Sequence, residues 1–194
     1  DTVRDLIKKL HEELPVPATA KIRVYDDPET SLKFAKMAEA AGAQLVAVHG
    51  RTREQKRAAD VRANWAFIRE IKKQLKVPVL ANGDIRSLEE ARACLAATGA
   101  DGVLSADPLL ENPALFSDPP LAPPADARQP RPVAGDTNAR LLLEYLELTK
   151  QYETPPRMIQ GPVHKMVGHW LADITDLRQW LHPPGGPPTT ADLR

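Results

Sequence analysis

Four short apolar runs in this chain end in polar residues able to do chemistry. Val16 to Val24 carries Lys21 and Arg23. Gln44-Leu-Val-Ala-Val48 leads into His49-Gly-Arg51. Val77-Pro-Val-Leu-Ala81 leads into Asn82-Gly-Asp84, and Gly102-Val-Leu-Ser105 into Ala106-Asp107. Lys21 and Arg51 can neutralise negative charge, and His49 can donate to a carbonyl or an electron-rich ring. Gly50 and Gly83 lack a Cβ and would let backbone approach a ligand closely. The turn Asn82-Gly-Asp84, with a helix start capped by Ser87, offers backbone N–H groups to a phosphate or polyol. No pair of carboxylates is poised for hydrolysis, and no Ser/His/Asp arrangement is readable. The set suits a bound phosphorylated cofactor better than hydrolytic chemistry.

Each residue also has a plainer role. A lysine at a strand end is more often an ion-pair partner than a ligand. A lone histidine is commonly a satisfied core residue, and Asn-Gly is commonest as a turn. Their shared placement at strand ends favours a single site. Cys94 lies in Ala91-Arg-Ala-Cys-Leu-Ala-Ala, on an apolar helix face, and reads as a small core residue. His164 and His169 are not spaced for a metal, His11 and His182 look like surface residues, and no metal site is expected. The loop from Arg51 to Arg62 holds five basic residues. Its ordinary role is a solvated loop, but beside a phosphate-binding mouth it becomes a candidate surface for a polyanion such as RNA.

The elements that must position these residues alternate strictly. Residues 2–14 place Val3, Leu6, Ile7, Leu10 and Leu14 at helical spacing. Helices are predicted for Pro28 to Ala41, Asn64 to Lys76, Ser87 to Thr98 and Leu109 to Phe116, between the four strands. Ser87 and Glu90 form a capping-box pair. Such βαβ repetition makes a parallel sheet with right-handed crossovers. It closes either as an open doubly wound sheet or as a (β/α)8 barrel. The absence of any Gly-x-Gly-x-x-Gly or P-loop after a strand disfavours nucleotide binding on an open sheet.

Length and composition frame the rest. The chain has 194 residues, with 26 Lys plus Arg against 26 Asp plus Glu, so a globally basic nucleic-acid binder is excluded. Of its 19 prolines, 15 follow Asp107, dividing the chain into a regular part and a Pro-rich part. Residues 117–136 are predicted to be a semi-rigid linker. Helical patterning resumes at Thr137–Tyr152, with a stripe of Leu141, Leu142, Tyr145, Leu146 and Leu148. It returns from Val163 to about Leu181 with Met166, Val167, Trp170, Leu171, Ile174 and Leu177. The tail 182–194 is expected to be disordered. One cysteine excludes a disulfide framework and points to a reducing compartment, the cytoplasm or the nucleus. No apolar run approaches the roughly 20 residues of a membrane span. The N-terminus does not look like a signal peptide and has no initiator Met.

The strand-end motifs carry a resemblance. Ala20-Lys-Ile-Arg23, Val48-His-Gly-Arg-Thr-Arg-Glu-Gln-Lys56, Val79-Leu-Ala-Asn-Gly-Asp-Ile85 and Gly102-Val-Leu-Ser-Ala-Asp107, followed by Asn112-Pro-Ala-Leu-Phe116, resemble those of the tRNA-dihydrouridine synthases. Ser-Ala-Asp, where many members carry Gly-Arg, is similar to the eukaryotic branch acting on D-loop positions 16 and 17. The resemblance covers residues 1–116 and extends more weakly to the helices beyond. It implies an α/β fold, the C-terminal half of a (β/α)8 TIM barrel at 1–116, followed by a small all-α, tRNA-binding-like module at 137–181. It implies an oxidoreductase that uses FMN, reduced by NADPH or NADH, to convert uridine to dihydrouridine in tRNA. Lys21 and His49 would contact the flavin ring and its ribityl neighbourhood. Asn82, Gly83 and Asp84 would bind the ribityl–phosphate arm, with Ala106 and Asp107 offering backbone at the phosphate. Arg51, Arg53, Lys56 and Arg57 would face the RNA. The family's general-acid Cys and first flavin-binding loop belong to an N-terminal half outside this chain, so no catalytic residue is assigned within it. The missing half, or a second chain, would complete the barrel. Two alternatives stand beside this: another FMN-dependent barrel oxidoreductase, and a non-catalytic RNA-binding fragment.

Overall fold

The computed structural model describes residues 2–55, 61–117 and 137–173, with positions 176 and 179. Apart from Ser117, the predicted linker at 117–136 lies outside the described residues, as does the tail at 182–194. The chain divides into two compact units, Asp1–Ser105 and Ala106–Arg194.

The first unit is a four-stranded parallel sheet in the order β1-β2-β3-β4, with β1 at Thr19–Arg23, β2 at Leu45–His49, β3 at Val79–Asn82 and β4 at Gly102–Leu104. Helices α1 (Thr2–Glu13), α2 (Pro28–Ala40), α3 (Trp65–Gln74) and α4 (Leu88–Thr98) alternate with the strands. Side chains alternate across a strand, so each strand has two destinations. Ala20, Ile22, Val46, Val48, Val79 and Ala81 share one face and pack with Ala35, Ala38, Ile68, Ile71, Ala91 and Cys94 from α2, α3 and α4. The helices therefore cover one face, whereas a doubly wound sheet needs them on both. The opposite face carries Lys21 and Arg23 of β1, both exposed. On α1 only Ile7 is buried; Val3, Leu6 and Leu10 are exposed, as is Leu14 just past its end.

Local signals set the boundaries. Asp27 accepts from the N–H groups of Glu29 and Thr30 ahead of Pro28, and Asn64 caps α3 through Ala66 and Phe67. Gly42, at φ +106, takes the chain out of α2 in a left-handed conformation, and a Cβ there would lie 2.5 Å from the His11 ring, so only glycine fits. Ser87 Oγ accepts from Glu90 N at 3.1 Å, as expected. The return arm differs from the predicted capping box: Glu90 Oε2 accepts from Arg86 N at 2.7 Å, one residue earlier, so the carboxylate ties the entering loop. Replacing Ser87 with alanine is expected to cost about 1 kcal/mol, read as a lower urea midpoint with an unchanged slope.

The second unit contains α5 (Asp107–Glu111), α6 (Thr137–Gln151) and α7 (Pro156–Asp173). α5 belongs with these helices and not with the sheet, so the compact boundary falls before the Phe116 limit expected from composition. Ile159, Val163, Met166 and Val167 form its core, with Leu141, Leu142, Tyr145, Leu146 and Trp170 packed against them. Leu148, expected in that stripe, is exposed. α7 starts earlier than its predicted Val163. Pro156 suits a first-turn position because its missing N–H has no helical partner there, and the helix continues through Pro162. Asn138 is buried, and its Nδ2 donates to Met166 O at 3.2 Å. Among the described residues no helix is long and apolar enough to cross a membrane.

Candidate functional site

Parallel register builds the site. Arg23 pairs with His49, His49 with Asn82 and Asn82 with Leu104, so the four strands finish in line on the helix-free face. Lys21 sits opposite Ala47, one step back on the same face. Arg23 was visible as a strand-end residue but not assigned to the site; its spacing of two from Lys21 on a strand is the signal that places it there. Its Nη1 donates to Thr52 O at 2.7 Å and holds the start of the loop after β2.

His49 is half-buried, and burial pushes its imidazole down to a pKa of about 4, helped by the nearby charges of Arg23, Arg51 and Lys21. The ring is neutral at pH 7. An unfolded chain takes up a proton at this position near pH 6.5, whereas the folded chain does so only near 4. Stability is therefore fully present above about pH 6.5 and falls as pH drops through that window. His49→Gln should flatten the pH dependence of the thermal midpoint between pH 6.5 and 4, measured by circular dichroism against the parent chain.

Arg51 departs from its expected role. Expected to face RNA, it is buried, with only 5% of its side chain exposed, beside an Asp84 side chain at 9%. Nη2 donates to Asp84 Oδ1, Nε donates to Val61 O at 2.7 Å, and Nη1 lies 3.2 Å from His49 Nε2. A buried guanidinium needs a carboxylate, and the register that sets His49 beside Asn82 brings the positions two residues on into contact. Arg53 is exposed, while Lys56 and Arg57 lie outside the described residues.

The Asn82–Asp84 turn is wired into the protein. Asn82 Nδ2 donates to Leu104 O at 2.6 Å, and Gly83 O accepts from Trp65 Nε1 at 3.1 Å. Asp84 Oδ2 accepts from Ala63 N at 2.6 Å. Asp84 adopts φ +58, a left-handed conformation uncommon outside glycine. The two glycines expected to admit a ligand have nearer reasons. A Cβ on Gly50 would lie 2.9 Å from Asn64 O, and one on Gly83 would lie 2.6 Å from Ala63 Cβ and 3.0 Å from the His49 ring.

Ala106 and Asp107 belong to the second unit, where Asp107 Oδ1 is 3.3 Å from Lys165 Nζ. Cys94 is buried, and burial pushes its thiol up to about 11, which suits a core residue and not a nucleophile. Among the described residues no cluster of His, Cys, Asp or Glu could hold a metal ion. What the site offers is a cationic face around a neutral imidazole, matched to a planar, electron-rich or anionic ligand.

Comparison with known proteins gives this geometry a lineage. A Rattus norvegicus protein named tRNA-dihydrouridine(16/17) synthase NAD(P)(+)-like is 36% identical over 181 residues, covering 93% of this chain and 38% of the relative. The tRNA-dihydrouridine(16/17) synthase NAD(P)(+) of Schizosaccharomyces pombe is 37% identical, covering 92% of this chain and 45% of the relative. That of Saccharomyces cerevisiae is 45% identical over 119 residues, covering 60% and 28%. The chain thus spans less than half the length of each. A family model described as dihydrouridine synthase (Dus) matches residues 1–176. With all of the first unit and most of the second inside that match, the chain belongs to the dihydrouridine synthase family.

Proposed function

We propose that this chain is the C-terminal part of a flavin-dependent tRNA-dihydrouridine synthase of the 16/17 branch, acting in a reducing compartment, the cytoplasm or the nucleus. Its first unit would be half of a (β/α)8 barrel, and its second a helical module that grips tRNA. The preceding part of a longer protein, or a second chain, would complete the barrel. Sequential strand order with helices on one face supports this, since that is how a barrel is wound. Bound FMN, reduced by NADPH or NADH, would supply hydride to C6 of a uridine turned out of the D-loop.

The observation that carries the proposal is the row Arg23–His49–Asn82 across the strand ends, with Lys21 behind it. These residues fit a flavin. Lys21 supplies charge to the electron-rich part of the ring, and His49 supplies a neutral polar edge. Nothing among the described residues accepts from the Gly83 and Asp84 N–H groups, which suit the ribityl–phosphate arm. Arg53, Lys56 and Arg57 would meet tRNA phosphates, whereas Arg51 is committed within the protein. The residue that protonates C5 is expected from the part of the protein that precedes this chain.

Titrating FMN fluorescence with the chain tests the cofactor. Quenching is expected, weakened about tenfold by Lys21→Ala or His49→Ala, the value of roughly one polar contact. No quenching at any ratio would overturn the assignment. In parallel, Arg53→Ala is expected to lower the salt slope of tRNA binding by about 1. A chain that binds tRNA but never flavin would be a non-catalytic RNA-binding piece.

A further inference from the structure

We propose that Arg51 is a positioning residue: clamped by Asp84, it donates to Nε2 of His49 and so holds the imidazole as its Nδ1–H tautomer, leaving that one N–H for a ligand's acceptor. How the site uses this N–H rests on the flavin assignment above, whereas the tautomer is a property of the chain itself.

The chemistry leaves one solution. A guanidinium has five N–H donors, no acceptor and no accessible deprotonated form. Its Nη1, 3.2 Å from His49 Nε2, can bond only if Nε2 offers a lone pair. A neutral imidazole with an accepting Nε2 carries its proton on Nδ1, and the depressed pKa keeps the ring neutral at pH 7. Arg51 is not free to turn away. Val61 O holds its Nε and Asp84 Oδ1 holds its Nη2, while Asp84 is itself anchored by Ala63 N. Gly83 completes the clamp, since a Cβ there would lie 3.0 Å from His49 Cδ2 and 3.3 Å from Nε2. The Nε2 edge thus faces Arg51 and Gly83, and Nδ1 has no partner among the described residues. The strained left-handed backbone of Asp84 fits a residue held in place by such a network.

The consequence is selectivity. An Nδ1–H accepts nothing, so the site favours a ligand presenting a carbonyl oxygen or a bare ring nitrogen and disfavours one presenting an amino group. Without Arg51 the proton would distribute between both nitrogens, and the ring could meet either kind of ligand.

Nitrogen-15 NMR of the histidine-labelled, ligand-free chain tests this, with the His49 signals identified by their loss in His49→Gln. The expected result is an unprotonated Nε2 and a protonated Nδ1. A protonated Nε2 would overturn the proposal, and this observation needs no destabilised variant. The second arm replaces the ion pair by apolar residues, Arg51→Met with Asp84→Leu, which removes both charges. The proton is then expected to appear on Nε2 as well, with FMN binding weakened about tenfold. An unchanged tautomer in the folded double variant would also overturn the role of Arg51. A chain with the Nδ1–H tautomer that never quenches FMN would sustain the positioning and overturn the cofactor assignment instead.

Discussion

Asp84→Ala is expected to destabilise the first unit by about 3–5 kcal/mol, enough to lower its thermal midpoint by at least about 10 °C. The size follows from what is left behind. The Arg51 guanidinium is almost fully enclosed. Without Asp84 its Nη2 loses its carboxylate, and Ala63 N loses its acceptor. The cost is that of a buried charge deprived of its Asp84 carboxylate, not the net worth of the pair, because forming the pair already required desolvating both partners. Asp84→Asn should lie between the parent and Asp84→Ala, since an amide oxygen can still accept from one donor. The double replacement Arg51→Met, Asp84→Leu should recover most of the loss. Urea unfolding of the parent, Arg51→Met, Asp84→Leu and the double variant closes a double-mutant cycle with a coupling of roughly 2–3 kcal/mol. Additive losses would show that Arg51 reaches solvent and that its enclosure contributes little.

Gly83→Ala is the second large effect, expected at about 3 kcal/mol or more. Two independent costs combine. At φ +112 an L side chain is strained whatever the space around it. The added methyl would also sit 2.6 Å from Ala63 Cβ and 3.0 Å from the His49 ring, so something must shift. Gly99→Ala is the reference. Gly99 also has a left-handed backbone, φ +67, but a Cβ there meets nothing within 4 Å, and about 1 kcal/mol is expected. Comparison of the two denaturation midpoints gives what the clash and the more strained φ of Gly83 add together beyond a left-handed backbone alone. Because the clash involves the His49 ring, Gly83→Ala should also weaken FMN binding, whereas Gly99→Ala should leave it unchanged.

Much of the first unit was legible before any coordinates. The βα alternation and the Ser87 cap are local, set by side chains within a few residues of the backbone groups they satisfy; the Asp27 and Asn64 caps are equally local but emerge only from the structure. Cys94 was legible as a core residue from its helix face alone. The start of α7 was not, because Pro156 and Pro162 read as breaks when only spacing is considered. Pro156 occupies a first-turn position, and burial of Ile159 and Val163 outweighs the one donor lost at Pro162. Glu90 was recognised as a capping partner, but the backbone group it ties is set by how the loop enters, which spacing does not specify.

The candidate site divides in the same way. Lys21, His49 and the Asn82–Asp84 turn could be located from sequence because an apolar run that ends in polar residues marks where a packed strand meets solvent. That placement depends on local periodicity and burial, which a single chain segment carries within itself. The partner of Arg51 could not be read. Arg51 and Asp84 are 33 residues apart, and each on its own looks like a solvated charge. Only the parallel register of β2 and β3, His49 against Asn82, brings the positions beyond them together. Once they meet away from water, the two charges have lower free energy paired than separate. That pairing turns an expected RNA-facing arginine inward and makes it the residue that orients His49.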